Sequence, residues 1–208
     1  MWHGPKTHKD DMTEIAPLTP RPEVLEFLLT RRSRPAKTLT PPVPDRATVE
    51  TLLTAAARSP DHGKLEPWRF IVLERAANLR LAELTRKRGA EAGIEQDKLE
   101  KNARSFEDAH LVVAVVACPK PSDKVPEVEQ LLSAGAVCLA LVNAGLAAGW
   151  GANWLTGWMA FDRGFLTEGL ALSDTEFVAG FIHLGTETAA PPERPRPDLA
   201  ALTQWVGA

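Results

Sequence analysis

Arg31, Arg32 and Ser33 place two guanidinium groups and a hydroxyl side by side at the end of a short predicted helix. Guanidinium forks bind phosphate oxygens in pairs, and a small hydroxyl can donate at close range. A second polar segment, SPDHGKLEPW over Ser59–Trp68, is a proline-punctuated loop that carries His62 and leads into a predicted strand. Two separate segments of this kind, one cationic and one polar with an aromatic behind it, indicate a phosphate-bearing cofactor with a flat head group.

Each of these features also has a purely structural interpretation. Arg31 and Arg32 could form a solvated helix end, since basic side chains suit the C-terminus of a helix. His62 follows Asp61 and could be hydrogen-bonded only within its own loop. Trp154, in a later apolar segment, could be an ordinary core aromatic. Single residues leave both interpretations open, and the combination favours a cofactor site.

Composition places these residues in a globular chain of ordinary character. The 208 residues, 44% hydrophobic with a net charge of -3, fit one domain with a sizeable core and show no basic stripe for nucleic acid. Two cysteines, Cys118 and Cys138, are too few for a disulfide framework or a thiolate zinc site. No apolar run is judged long enough to span a bilayer, and residues 1–20 lack the apolar core of a signal peptide. We therefore expect a flexible N-terminal arm over residues 1–20, one domain over residues 21–208, no membrane, and a cytoplasmic location.

Hydrophobic periodicity predicts the elements that must position the two polar segments. Helices are expected at Glu23–Arg31, Arg46–Arg58 with Asp45 as N-cap, Ala76–Arg88, Ile94–Phe106, Val125–Ala148 and Asp162–Gly169. Strands are expected at Trp68–Leu73, at Leu111–Ala117, after the turn at Gly149, and at Phe177–Leu184, with an extended linker over Pro35–Pro44. This order predicts a three-layer α/β or α+β sandwich whose strand order is left open.

The predicted helix Val125–Ala148 is apolar nearly all round and rich in Ala and Gly. Such a helix must be covered on every side in a globular protein, and small residues let a neighbouring backbone approach closely. In a chain of this size, part of the cover is expected from a second subunit. The apolar C-terminal end, Leu199–Val206, must likewise dock, and a partner chain is one place for it.

Four segments together resemble the FMN-dependent nitroreductase family, in particular its compact single-domain NAD(P)H nitroreductases. They are RRS at Arg31–Ser33, ARSPDHGKLEPWRF at Ala57–Phe70, LLSAGAVCLALVNAGLAAGWGANW at Leu131–Trp154 and GFIHLGT at Gly180–Thr186. The resemblance implies an α+β fold with a central, mostly antiparallel sheet between helices, in an intertwined homodimer. It also implies FMN in a groove at the dimer interface, NADH or NADPH as donor, and a small-molecule acceptor such as a nitroaromatic or a quinone.

The resemblance assigns site residues one by one. Arg31 and Ser33 match positions on the FMN phosphate and ribityl chain, with Arg32 beside them. His62 and Glu66 match a loop that reaches the flavin from the other subunit. The family's remaining cofactor positions match Trp154, Leu155 and Thr156 beneath the flavin ring, and Arg196, or else Arg194, at the phosphate.

Two positions depart from the family pattern. Glu66 stands where relatives often have an amide, and a carboxylate there disfavours negative charge on the reduced ring unless it points away or is paired. Pro35 replaces the common basic residue two places after Ser33, so one cationic contact is lost. These departures leave open the flavin potential and the choice between NADH and NADPH.

The function expected from the resemblance is an NAD(P)H-dependent FMN oxidoreductase with ping-pong kinetics. No side chain is assigned as a catalytic acid or base, because the flavin carries the chemistry and the protein supplies binding, orientation and electrostatics. Alternatives are a related FMN enzyme such as a reductive dehalogenase, a flavin-holding or regulatory dimer without turnover, or a helical interaction domain that binds no FMN.

Overall fold

A computed structural model describes residues 17–207 of the chain, so most of the predicted N-terminal arm lies outside the described residues. The helices are α1 Pro22–Thr30, α2 Arg46–Ala56, α3 Arg75–Glu91, α4 Gln96–Glu107, α5 Glu127–Ala147, α6 Arg163–Leu170 and the single turn α7 Leu199–Leu202. The strands are β1 Leu39–Thr40, β2 Trp68–Glu74, β3 Leu111–Ala117, β4 Gly151–Leu155 and β5 Phe177–Glu187.

The five strands form one antiparallel sheet, as predicted. Its order is β1-β5-β3-β2, with β4 also paired to β5. β5 therefore holds three partners: Leu184 lies opposite Leu111 of β3, and Gly185 lies opposite Gly151 of β4. The last two residues of β5 pair with β1. Strand order, which the sequence left open, thus places the last strand of the chain among β1, β3 and β4.

Helices cover both faces of the sheet and give the predicted three layers. Val113 and Val115 of β3 pack with α2 and α5, whereas Val112 and Ala114 pack with α3 and α6. β3 is buried along its whole length, as its continuous apolar run predicted. The core therefore lies on both sides of this central strand, and the fold is α+β.

Two aspartates cap helices, and the predicted linker contains a strand that the sequence did not predict. Asp45 accepts a hydrogen bond from the Thr48 N–H at 2.9 Å, and Asp162 accepts one from the Phe165 N–H at 2.7 Å, so both act as N-caps. The segment Pro35–Pro44 is not simply extended. It contains a 3₁₀ turn at Ala36–Thr38 followed by β1. A two-residue strand is too short to produce any periodicity in the sequence.

α5 is buried along one face and exposed along the other. Cys138 and Leu141 are fully buried against the sheet, whereas Val128, Leu132 and Leu139 are 59%, 68% and 47% exposed. By length and composition α5 could cross a membrane, which corrects the expectation that no run is long enough. Within its most apolar stretch, 44% is buried inside the chain, which is typical of a core helix in a folded domain. The exposed stripe has no cover in the single chain, so the homodimer stays a prediction.

The C-terminal end does not dock on the described part of its own chain. Leu199 and Leu202 of α7 are 71% and 73% exposed, and Trp205 and Val206 are more exposed still. Residues between β5 and α7 follow the proline-rich path that the sequence predicted, without regular structure. The apolar end is thus left free to meet another surface.

Candidate functional site

The segment from Arg31 to Arg34 lies along the outer side of β4. The Arg34 N–H donates to the Ala152 carbonyl at 2.9 Å, and the Asn153 side-chain amide donates to the Arg34 carbonyl at 2.7 Å. Within the segment, Arg31 Nη2 donates to Ser33 Oγ at 3.0 Å. The segment is therefore anchored to β4 through the backbone of Arg34, directly after Arg31, Arg32 and Ser33.

Three arginines meet at this point. Arg32 donates to the Pro192 carbonyl at 3.2 Å, which brings the C-terminal segment alongside. Arg196 lies 3.0 Å from Glu193, whose carboxylate is 4.0 Å from Arg32 Nε. Burial, followed by the charges of Arg196 and Arg32, lowers the pKa of the Arg31 guanidinium. Arg196 is thus the C-terminal arginine whose charge acts on Arg31. Which of Arg194 and Arg196 meets a phosphate stays a prediction.

The arginine cluster lacks acceptors for buried donors. The Nε atoms of Arg31 and Arg32 are both buried, and neither has a hydrogen-bond partner among the described residues. Buried N–H groups without an acceptor are costly, and charged ones more so. A cavity of about 280 Å³ adjoins them, lined by Thr30, Arg34, Trp150 and Glu187 among others. An anionic group in this cavity would satisfy the free donors and relieve the repulsion among the cations.

The loop that carries His62 and Glu66 is held by Asp61. The Asp61 carboxylate accepts from the N–H groups of Leu65 at 3.2 Å and Glu66 at 2.7 Å. Gly63, Lys64 and Glu66 all have a positive φ, at 75°, 54° and 47°. Residues other than glycine rarely adopt a positive φ, and the hydrogen bonds to Asp61 stabilise this backbone conformation in the loop. Sequence reasoning missed this role of Asp61, although an Asp after Ser-Pro is a known turn signal.

His62 and Glu66 do not meet the arginine cluster within one chain. His62 Nδ1 lies 2.7 Å from the Glu129 carboxylate, in the first turn of α5, whereas Leu146 at the other end of α5 lines the arginine cavity. Seventeen residues of helix separate these two positions, or about 25 Å at the helical rise of 1.5 Å per residue. Glu66 is exposed, and its side chain has no hydrogen bond within residues 17–207. Within one chain the two segments therefore lie at opposite ends of α5.

Trp154 and Leu155 are the last two residues of β4, and Thr156 follows them. Their three side chains have different surroundings. The Trp154 indole donates to the Ala179 carbonyl at 3.1 Å and covers Gly180, where a Cβ would lie 2.2 Å from the indole nitrogen. Leu155 instead lines a cavity on the opposite face, and Thr156 is exposed. Trp154 is therefore a packing residue by its side chain, and only its backbone is available to a ligand on the Leu155 side.

Gly157 fixes the turn that follows. Its φ of 93° and ψ of 177° belong to a region that is open to glycine almost alone. A Cβ on Gly157 would also lie 3.2 Å from Asn102 Oδ1 of α4. The end of β4 is thus packed directly against α4. Gly157 and Asn153 are site-forming residues that the sequence did not single out, although Gly157 follows the matched WLT segment immediately.

A larger cavity of about 730 Å³ lies between the end of β4 and α4. Its walls come from the turn at Pro35–Lys37, from Asn153 and Leu155, and from the face of α4 that carries Asp97, Glu100, Lys101, Arg104, Ser105 and Asp108. Lys37 lies two residues after Pro35, the position at which the resemblance leads one to expect a cation. This cavity shares Leu155 with the segment matched to the flavin ring.

Cys118 and Cys138 are both buried, and they are not joined by a disulfide. Burial raises the pKa of the Cys118 thiol to about 11 and that of the Cys138 thiol to about 12. A thiol with such a pKa holds almost no thiolate at neutral pH and is therefore a poor nucleophile.

Sequence comparison finds relatives over most of the chain. A model described as "Nitroreductase family" matches residues 28–186. The protein named "Putative NAD(P)H nitroreductase YdjA" from Escherichia coli K12 is 31% identical over 164 residues, which are 79% of this chain and 88% of that protein. The protein named "Putative NAD(P)H nitroreductase" from Haemophilus influenzae is 35% identical over 166 residues, which are 79% of this chain and 88% of that protein.

Solved structures show the same fold. A nitroreductase-like family protein from Bacillus cereus superposes with a TM-score of 0.74 at 18% identity, covering 94% of this chain and all of the other. A nitroreductase with bound FMN from Bacteroides fragilis gives a TM-score of 0.69 at 22% identity, over 89% of this chain and 99% of the other. At these identities the likeness concerns the fold.

Proposed function

The chain belongs to the nitroreductase family, and on that premise we propose that it is an NAD(P)H-dependent FMN oxidoreductase. We propose that its acceptors are nitroaromatics, quinones or similar small molecules, and that it is located in the cytoplasm. Two relatives that are more than 30% identical to this chain, aligned over 88% of their own length, have names that begin with "Putative NAD(P)H nitroreductase". A neighbour of the same fold binds FMN.

The observation that carries the proposal is the arginine cluster. Arg31, Arg32 and Arg196 converge, and two of them have a buried Nε without an acceptor. A phosphate monoester offers several acceptor oxygens and up to two negative charges, and it forms charge-assisted bonds with guanidinium forks. Ser33 Oγ, already 3.0 Å from Arg31, is in position to contact the same group. These residues fit the phosphate end of FMN.

The remaining residues of the site bind and orient the proposed cofactor. Backbone groups of Leu155 and Thr156 continue from the arginine cluster along β4, and Gly157 fixes the turn beyond them. FMN, when bound, supplies hydride acceptance and electron transfer. The chain itself supplies no assigned acid or base, and His62 is 60% exposed in a contact with Glu129. The protein's contribution is therefore positioning and charge.

Two chains are needed to complete this site. The His62–Glu66 loop and the arginine cluster lie at opposite ends of α5, and the exposed stripe Val128, Leu132 and Leu139 runs between them. Pairing two copies of α5 antiparallel through this stripe would bring the loop of one chain to the arginines of the other. We therefore propose a homodimer with two composite FMN sites.

Anaerobic reduction tests the proposed activity most directly. The purified protein should be yellow, should bleach when NADH or NADPH is added, and should regain its colour with a nitroaromatic. Because donor and acceptor would use the same open site in turn, double-reciprocal plots should give parallel lines. A yellow protein that does not bleach would support a flavin-holding dimer, and a colourless protein that takes up no FMN would contradict the whole proposal.

A further inference from the structure

Glu193 places a carboxylate against the arginine cluster that the proposed phosphate would occupy. Its Oε1 lies 3.0 Å from Arg196 Nη2 and 4.0 Å from Arg32 Nε. The second distance is too long for a hydrogen bond, and Arg32 Nε has no acceptor among residues 17–207. The carboxylate therefore takes part of the place of an anion in the cluster without satisfying the buried donor.

The backbone around Glu193 holds the carboxylate in this position. Arg32 Nη2 donates to the Pro192 carbonyl at 3.2 Å, and the Arg194 N–H donates to the Glu193 carboxylate at 2.7 Å. This hydrogen bond from Arg194, followed by the charges of Arg196 and Arg32, lowers the pKa of the Glu193 carboxyl. Glu193 is therefore negatively charged at neutral pH and attracted to the same guanidinium groups as a phosphate.

The carboxylate of Glu187, on the other side of the cluster, is engaged differently. Glu187 lines the cavity of about 280 Å³ and lies 2.8 Å from Arg34 Nε, at the end of β5 that pairs with β1. Glu193, by contrast, lies in a segment without regular structure, and its side chain is 66% exposed. Rotation of that side chain alone can move its charge into solvent, so Glu193 is the carboxylate that can leave when another anion arrives.

A phosphate bound to the arginine cluster would lie beside the negative charge of Glu193. Like charges at such short range disfavour each other, and both anions draw on the same guanidinium groups. Binding of the phosphate therefore requires the Glu193 carboxylate to move away, and the energy of its present contacts is lost from the binding free energy. Since Glu193 and Arg196 are largely exposed, this loss is modest.

We propose that Glu193 is an internal competitor for the phosphate position, so that it lowers the affinity of the arginine cluster for FMN. In the empty site its carboxylate contacts Arg196 and faces Arg32, and in the filled site it turns to solvent. The inference rests on the proposed function, because it concerns the control of FMN binding at the same site.

Titration of the full-length apoprotein tests the inference without turnover. Glu193→Gln keeps the shape of the side chain and removes its charge, and it should bind FMN about two- to fivefold more tightly, as measured by fluorescence quenching. Inorganic phosphate, measured as a competitor of FMN, should gain by the same factor. Riboflavin, which lacks the phosphate, should gain nothing. The differences should shrink at high salt.

Two further variants show whether the effect comes from the contact with Arg196. Glu23→Gln removes the same charge from the exposed first turn of α1, eight residues before Arg31 or about 12 Å along the helix, and should leave both affinities unchanged. In an Arg196→Gln background the gain from Glu193→Gln should be smaller, because the carboxylate has then lost its nearest cation.

Unchanged FMN affinity in Glu193→Gln would overturn the inference. Weaker binding would overturn it as well, since Glu193 would then hold Arg196 in place for the phosphate. A gain that riboflavin shares would show that the effect does not arise at the phosphate. If the wild type bound no FMN while calorimetry with inorganic phosphate still showed the gain, the proposed function would fail and the inference about Glu193 would stand.

Discussion

Arg31 combines partial burial, a free Nε and two neighbouring cations, and each of these properties favours an anionic ligand. We expect Arg31→Ala to weaken FMN binding about 10- to 150-fold, which corresponds to the roughly 1.5–3 kcal/mol of a hydrogen bond to a charged group. The measurement is the quenching of free FMN fluorescence on reconstitution of the apoprotein. Arg21→Ala, at the exposed start of α1, is the control and should bind FMN normally. Unchanged FMN affinity in Arg31→Ala would remove the phosphate from this cluster.

His183 is a second residue with a consequence of its own. It is 3% exposed in β5, and burial lowers its pKa to about 4. Between pH 6.5 and 4 the unfolded chain therefore binds a proton at His183 that the folded chain does not, so stability falls as the pH falls. Over pH 6.5 to 4.5 the expected loss is about 2–3 kcal/mol at 1.36 kcal/mol per pKa unit.

Urea unfolding at several pH values checks the His183 prediction. The window stops at pH 4.5 because Glu176, whose pKa is lowered to about 2 chiefly by Arg69, loses its own contribution below that pH. His183→Asn should flatten the profile between pH 6.5 and 4.5. The same slope in wild type and variant would show that His183 does not carry it.

Candidate site residues could be predicted from the sequence where the residues that act together are adjacent in the chain. Arg31, Arg32 and Ser33 are adjacent in sequence, so their combined suitability for phosphate is visible without a structure. Asn153, by contrast, holds Arg34 across 119 positions of sequence, and nothing around it in the chain indicates that contact. Trp154 shows the same limit, because its indole contact with the Ala179 carbonyl is 25 positions away in the chain and no local pattern indicates it.

At the scale of elements, α5 connects the two halves of the proposed site. Leu132 is 68% exposed in the middle of its apolar stripe, with no role in its own chain's core. We expect Leu132→Glu to lower dimer affinity and FMN occupancy together, because a buried unpaired carboxylate is costly. Light scattering after gel filtration and the flavin-to-protein absorbance ratio measure the two effects.

Leu79→Glu is the matched control for Leu132→Glu. Leu79 is 41% exposed on α3, away from the α5 stripe, and its replacement should change neither quantity. Leu132 is a better test position than Ala140, two turns further along α5, which packs against the core, so a charge there would disturb the fold itself. A Leu132→Glu protein that is monomeric and fully yellow would contradict the composite site.

Long helices and strands could be predicted from the sequence, whereas a very short strand could not. α2 and its Asp45 cap, and the fully buried β3, follow from periodicity and propensity in continuous segments. β1 did not, since two residues among prolines leave no pattern, and its existence depends on the distant end of β5. Strand order depends on the same kind of distant pairing and for that reason was not available from the sequence.

At the scale of the whole molecule, a composite site leads to a prediction that proteins with a single substitution cannot test. If Arg31 and the His62–Glu66 loop of different chains form each site, then Arg31→Ala and Asp61→Ala chains should complement one another. In a mixed dimer one site would carry both defects and the other would carry neither. Asp61→Ala is chosen because Asp61 holds the loop through Leu65 and Glu66.

Co-expression with two affinity tags isolates the mixed dimer. We expect about one FMN per mixed dimer with near wild-type affinity, whereas each variant homodimer holds FMN weakly at both sites. A dimer carrying both substitutions in one chain and none in the other is the control, because each of its sites then carries one defect. Mixed dimers as weak as the variant homodimers would mean that each chain builds its site alone.

The position of β5 at the centre of the sheet also governs how this chain is made. β5 supplies neighbours to β1, β3 and β4, yet it is the last strand to leave the ribosome. Until residue 187 emerges, β3 has only β2 beside it and β4 has no strand at all. From the completion of β3 at residue 117 until β5 begins at residue 177, the nascent chain therefore exposes an apolar strand edge, and a message truncated before residue 177 would yield a product prone to aggregation.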